Sequence, residues 1–79
     1  MNREEIEKKV KETVVGLAGL ESCGLDMDLM DDIGLSSIEV MDLISGLEET
    51  YGVKIPSRSL RFVATVGDLV DLIQEKTGA

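Results

Sequence analysis

The chain has 79 residues, with eight Lys or Arg against sixteen Asp or Glu, one cysteine and no histidine, for a formal net charge of −8. That length suits one domain, residues 1–79, built on one small core. With one Tyr, one Phe and no Trp, the core must come from Leu, Ile, Val and Met, which favours packed helices over a sheet. No Lys or Arg lies between Glu12 and Val53, a stretch that holds Glu21, Asp26, Asp28, Asp31, Asp32, Glu39, Asp42, Glu48 and Glu49. Such a block repels phosphates, so no nucleic acid partner is expected, and it attracts basic protein surfaces. No run approaches ~20 apolar residues, so no membrane span is expected. The charged N-terminus lacks a secretory apolar region, and a cytoplasmic location is expected. Cys23, alone and without a histidine, offers neither a disulfide nor a nucleophile nor a metal site. It reads as a half-buried loop residue in a reducing compartment.

The first helix is expected from an Asn2 cap to about Ala18. Ile6, Val10, Thr13, Val14 and Leu17 supply its apolar face. Glu4–Lys8 and Glu7–Lys11 are spaced for i,i+4 ion pairs. A long acidic loop follows, from Gly19 to Leu35. Leu20, Leu25, Leu29, Met30 and Ile33 need shelter within it, and Leu29 and Ile33 are expected to reach the core. Asp26, Asp28, Asp31 and Asp32 invite a calcium reading, but the twelve-residue calcium loop fails: counted from Asp26, the fifth, sixth and twelfth positions are Met30, Asp31 and Ser37. No metal site is assigned.

Ser36 precedes Glu39 by three residues, which is the spacing of a capping box. Ser36 is then the N-cap and Ser37 the first residue of the second helix. A phosphate on Ser37 would lie at the positive end of the helix, beside N–H groups that lack intrahelical acceptors. Val40, Leu43, Ile44, Leu47 and Tyr51 share one face of this helix. Ile38 and Met41 fall off that stripe, among Asp42, Ser45, Glu48 and Glu49, which suggests a docking face. Gly46 costs the helix about 1 kcal/mol relative to Ala.

Gly52 stops the second helix, and Val53-Lys54-Ile55 runs extended to Pro56, with Ile55 inward. Ser57 to Phe62 reads as a short helical turn offering Leu60 and Val63 to the core. Thr65, with Asp68 three residues on, caps a last helix whose inner stripe is Val66, Leu69, Val70 and Ile73, with Leu72 flanking. Gly78 marks its end. The expected fold is all-α: a small four-helix bundle with three longer helices, a short third one, and a long loop between the first two.

The run Asp32-Ile33-Gly34-Leu35-Ser36-Ser37-Ile38-Glu39, followed by Leu43, Leu47-Glu48-Glu49 and Tyr51, resembles the acyl carrier protein family. The resemblance continues through Val53-Lys54-Ile55-Pro56 and Thr65-Val66-Gly67-Asp68-Leu69, nearly the whole chain. It implies a 4′-phosphopantetheine arm, taken from coenzyme A, on Ser37. It also implies a non-catalytic, monomeric carrier of acyl groups in fatty acid or related biosynthesis. Val40, Ile44, Leu47, Ile55, Leu60, Val63 and Leu69 would enclose the acyl chain. Ile38, Glu39, Met41, Asp42, Glu48 and Glu49 would meet a phosphopantetheinyl transferase and acyl-transferring or chain-modifying enzymes through their basic docking patches. Two features depart from the family pattern. Ser36 stands where Asp is usual, and Arg58 and Arg61 occupy a turn that is acidic in many members. An aminoacyl or polyketide cargo, or an unmodified carrier-like adaptor, are the alternatives.

Overall fold

Asn2 caps the first helix as its sequence position demands, its side chain accepting from Glu5 N–H at 2.9 Å. The computed structural model describes residues 2–78. Its elements are α1 (Arg3–Ala18), α2 (Ser37–Tyr51), a 3₁₀ helix (Ser57–Phe62) and α3 (Val66–Thr77). Among the described residues there is no β-strand, only an isolated antiparallel bridge between Asp28 and Thr65. No helix of the described residues is long and apolar enough to cross a membrane.

On α1, Ile6, Val10 and Val14 are fully buried. Their spacing of four continues to Ala18, which packs against the core. Leu17, expected on the same face, is exposed instead, because it falls about 100° before Ala18 on the helical wheel. The expected pairs Glu4–Lys8 and Glu7–Lys11 do not form. Among the described residues the salt bridges belong to Arg3, which reaches Glu7 at 3.0 Å and Asp71 at 2.6 Å. Arg3 also donates to Gln74 Oε1 at 2.8 Å. Glu7 thus pairs one turn back within α1, with an Arg3 that contacts with α3 hold in place, whereas an exposed i,i+4 lysine pair gains only a few tenths of a kcal/mol in water.

The connecting loop is irregular but anchored. Leu29 and Leu35 are buried, while Cys23, Leu25 and Ile33 pack half-buried against the core. Burial also pushes the Cys23 thiol up, an effect that Lys11 partly opposes. Met30 finds no shelter and is exposed. Gly34 takes a left-handed φ of 87°, which turns the chain so that Leu35 N–H donates to Leu29 O at 2.9 Å. A side chain would be strained there.

α2 buries Leu43, Ile44 and Leu47 and holds Val40 and Tyr51 half-buried. α3 buries Val66, Leu69, Val70 and Ile73 completely. The α1 stripe packs against α3 and α2, and the 3₁₀ helix adds Leu60 and Val63 at the edge.

Two outcomes test this packing. The Asp68 carboxylate accepts from Ala64 N–H at 3.0 Å and Thr65 N–H at 3.1 Å, and those bonds hold its pKa below the usual 3.8. The unfolded chain therefore binds more protons in that window. The associated stability is fully present above the unfolded value and is lost as pH falls through the lower folded value. In melts from neutral pH into acid, Asp68→Asn is expected to lose less stability than the native chain over that window. Gly46, in the middle of α2, has open space where a Cβ would be. Gly46→Ala should stabilise by about 1 kcal/mol, read as a melting temperature raised by roughly 4–8 °C.

Candidate functional site

The N-terminus of α2 is closed only by its own capping box. Ser36 Oγ accepts from Glu39 N–H at 3.2 Å, and Glu39 Oε1 accepts from Ser36 N–H at 3.0 Å. Ser36 O takes Val40 N–H at 2.9 Å. Among the described residues, the N–H groups of Ser37 and Ile38 have no protein acceptor, and the exposed Ser37 hydroxyl has no protein partner. The first turn of α2 thus presents two free donors at the positive end of the helix beside an unengaged hydroxyl. The neighbouring Ser36 hydroxyl is already engaged as the cap.

The opposite arrangement holds at α3. Thr65 and Asp68 form a capping box there. In addition, Val66 N–H donates to Met27 O at 3.0 Å and Gly67 N–H to Leu25 O at 2.8 Å. The loop seals that helix end and leaves no free N–H for an anion.

Ser37 lies at the mouth of a mostly apolar groove of about 380 Å³. Leu29, Met30, Val40, Met41, Leu60 and Val63 form most of its wall, with Asp28, Asp31 and Ala64 at the rim. A second cavity of about 150 Å³ continues between α2 and the 3₁₀ helix, lined by Ile44, Ser45, Glu48, Ile55 and Ser57. Met41 and Leu60 border both. A further cleft of about 380 Å³ lies between the 3₁₀ helix and α3, lined by Asp68, Asp71, Glu75 and Lys76 among others, and does not include Ser37.

The expected pocket residues therefore divide. Val40, Leu60 and Val63 line the larger groove, and Ile44, Ile55 and Leu60 the smaller one. Leu47 and Leu69 line neither, being fully buried in the centre of the bundle. Leu29 and Met30 join the groove from the loop. No periodicity marks them, because an irregular segment has no repeating face.

The expected docking residues divide as well. Ile38 is 71 % exposed and Met41 54 %, and Asp42 and Glu49 are exposed. Glu39 belongs to the capping box. Glu48 turns inward, and its Oε2 accepts from Ile55 N–H at 2.7 Å. It holds the extended Val53–Ile55 segment to the end of α2. Two of the loop acids are similarly engaged. Asp28 Oδ1 accepts from Met30 and Asp31 N–H at 2.9 and 2.8 Å, and Asp32 Oδ2 accepts from Asp28 N–H at 2.7 Å. No group of three acidic or cysteine side chains converges as a metal site among the described residues.

Comparison with known proteins agrees with this geometry. The phosphopantetheine attachment site family matches residues 8–73. An acyl carrier protein of Thermotoga maritima is 35 % identical, over 98 % of this chain and 98 % of its own. A crystal structure of an acyl carrier protein from Thermotoga maritima superposes with a TM-score of 0.83 at 25 % identity, covering 99 % of this chain and 93 % of that one. The solution structure of the acetyl actinorhodin acyl carrier protein from Streptomyces coelicolor gives a TM-score of 0.69 at 29 % identity, over 99 % and 92 %. The chain belongs to the acyl carrier protein family, and its cofactor is a covalently attached 4′-phosphopantetheine. Membership brings two classes of partner, a phosphopantetheinyl transferase and acyl-handling enzymes. The exposed hydroxyl, the free donors and the adjoining groove fit such a group.

The role of Glu48 is open to test. Glu48→Ala removes a charge-assisted acceptor from a partly buried N–H and should cost about 1.5–3 kcal/mol in a denaturant melt. Glu48→Gln, which keeps an acceptor, should cost less.

Proposed function

We propose that Ser37 is the attachment point and that the protein carries acyl intermediates as thioesters in fatty acid or related acyl-chain biosynthesis. In this reading it is a single-domain, monomeric carrier in the cytoplasm and performs no chemistry of its own. One observation carries the proposal: at the mouth of an apolar groove, Ser37 combines an unengaged hydroxyl with an open helix N-terminus. When bound, 4′-phosphopantetheine supplies the thiol that holds the acyl group.

The chain's own residues do the rest. The Ser37 and Ile38 N–H groups orient the phosphodiester through the helix dipole. Val40, Met41, Leu60 and Val63 shield the apolar end of the cargo from water, with Ile44 and Ile55 deeper in. Asp42 and Glu49, beside exposed Ile38 and Met41, meet basic and apolar patches on partner enzymes. Tethering raises the effective concentration of cargo at each partner. A second reading, a carrier for a polyketide or aminoacyl intermediate, draws support from the 29 % identity to the actinorhodin carrier. Loading with the corresponding acyl donors separates the cargo classes.

Intact mass after incubation with coenzyme A and a broad-specificity phosphopantetheinyl transferase tests the site. The native chain should gain the mass of one arm, and Ser37→Ala none. Ser36→Ala should still gain it while losing about 1 kcal/mol of stability with its cap. A gain that survives in Ser37→Ala would overturn the assignment.

A further inference from the structure

The 3₁₀ helix carries a surface that the carrier reading leaves unused. Three residues complete one turn of such a helix, so side chains at i and i+3 stand one above the other. Around Ser57–Phe62 this spacing sorts the side chains into three columns. Leu60 and Val63 pack on the core. Arg58 and Arg61 form a second column, and Ser59 and Phe62 a third. Both arginines are exposed, and neither takes part in a salt bridge among the described residues. Phe62, the only phenylalanine of the chain, is 77 % exposed. The four outer side chains line one cleft of about 330 Å³.

Single exposed apolar residues are ordinary. An aromatic ring beside two free guanidiniums is different, because arginine and aromatic residues dominate the energetic centres of protein interfaces. At a rise of ~2 Å per residue, the two arginine stems stand about 6 Å apart along the axis. Carboxylate residues one turn apart on a partner helix have a similar spacing of about 5–6 Å. The sign of this face is opposite to that of α2 and the loop, where Asp31, Asp42 and Glu49 are exposed.

We infer that the Arg58–Arg61–Phe62 face is a second docking surface, occupied by an acidic patch with an apolar socket on the enzyme that installs the arm. The inference rests on the carrier reading. Enzymes that act on the cargo are reached through the length of the arm, but the installing enzyme must bring its own active site to Ser37 Oγ. Ser37 shares its groove with Leu60 and Val63, so an enzyme seated over Ser37 extends to the 3₁₀ wall. Its footprint is then anionic on the α2 side and cationic on the 3₁₀ side. Matching both signs leaves one seating orientation and repels partners with a uniformly basic face. A second copy of this chain is a poorer occupant, because two bodies of charge −8 repel at long range.

The test is the steady-state kinetics of arm loading by the phosphopantetheinyl transferase of the same organism, with coenzyme A, on the full chain. Arg58→Glu/Arg61→Glu should raise KM roughly tenfold or more with kcat retained. Arg58→Lys/Arg61→Lys should keep most of the native KM, and Phe62→Ser should raise it several-fold. Circular dichroism confirms folding, and Phe62→Ser carries the test alone should the double reversal not fold. A loaded native chain with KM unchanged in both the reversal and Phe62→Ser overturns this inference and leaves the carrier reading standing. A native chain that is never loaded overturns the carrier reading, and the docking inference with it. A concentration-dependent dimer in sedimentation, abolished by the reversal while loading is unchanged, would assign the face to a second copy and overturn the inference.

Discussion

The connection between loop and last helix is the constraint on which the rest of this structure depends. The first N–H groups of α3 have no acceptors within the helix. The carbonyls of Leu25 and Met27 supply them, and Leu29 N–H returns a bond to Ala64 O at 2.8 Å. The backbones come so close at Gly67 that a Cβ would lie 3.0 Å from Leu25 O. Only the smallest residue meets that approach without a shift. Three backbone hydrogen bonds thereby anchor an irregular segment to the start of α3, and Leu29 is carried into the core.

Everything at the site follows from where that loop is held. Its Asp28–Asp31 turn becomes one wall of the groove beside Ser37. The self-bonding of Asp28 and Asp32 keeps the turn closed. Because the loop serves α3, it does not serve α2, whose first N–H groups stay open. Two helices that begin with the same capping device thus end with different tasks, one sealed into the fold and the other free to face an anion. The large side chains of Leu47 and Leu69 fill the middle of the bundle, which leaves the accessible space at its edge, between α2 and the 3₁₀ helix.

The acidic character of the chain divides along the same lines. Asp28, Asp32, Glu39, Glu48 and Asp68 all accept from backbone N–H groups. Carboxylates in such roles hold turns and helix ends together and are poorly placed to meet a partner. Asp42 and Glu49 are exposed on α2 and remain available. The net charge of −8 therefore overstates the charge free for docking. The few cations divide too: Arg3 links α1 to α3, while Arg58 and Arg61 face outward.

Local pattern made much of this protein legible in its sequence. Spacing at 3.6 residues predicted the helices. Ser36 with Glu39 and Thr65 with Asp68 marked two helix starts, and Gly52 and Gly78 two ends. Ser37 could be singled out because its place depends only on the residues next to it in the chain. Other features needed the tertiary structure. Whether Leu47 or Leu69 lines a cavity or fills the core, whether Met30 is covered, and whether Glu48 faces solvent or a backbone N–H are settled by segments remote in sequence. The partner of Arg3 lies 68 residues away at Asp71, and the carbonyls that seal α3 come from an aperiodic loop. By itself the sequence determined the helices, their caps and the candidate serine, because these rest on contacts within a few residues. Only the tertiary structure decided the groove, the fate of each carboxylate and the open end of α2, because these depend on where a loop without a repeating face comes to rest.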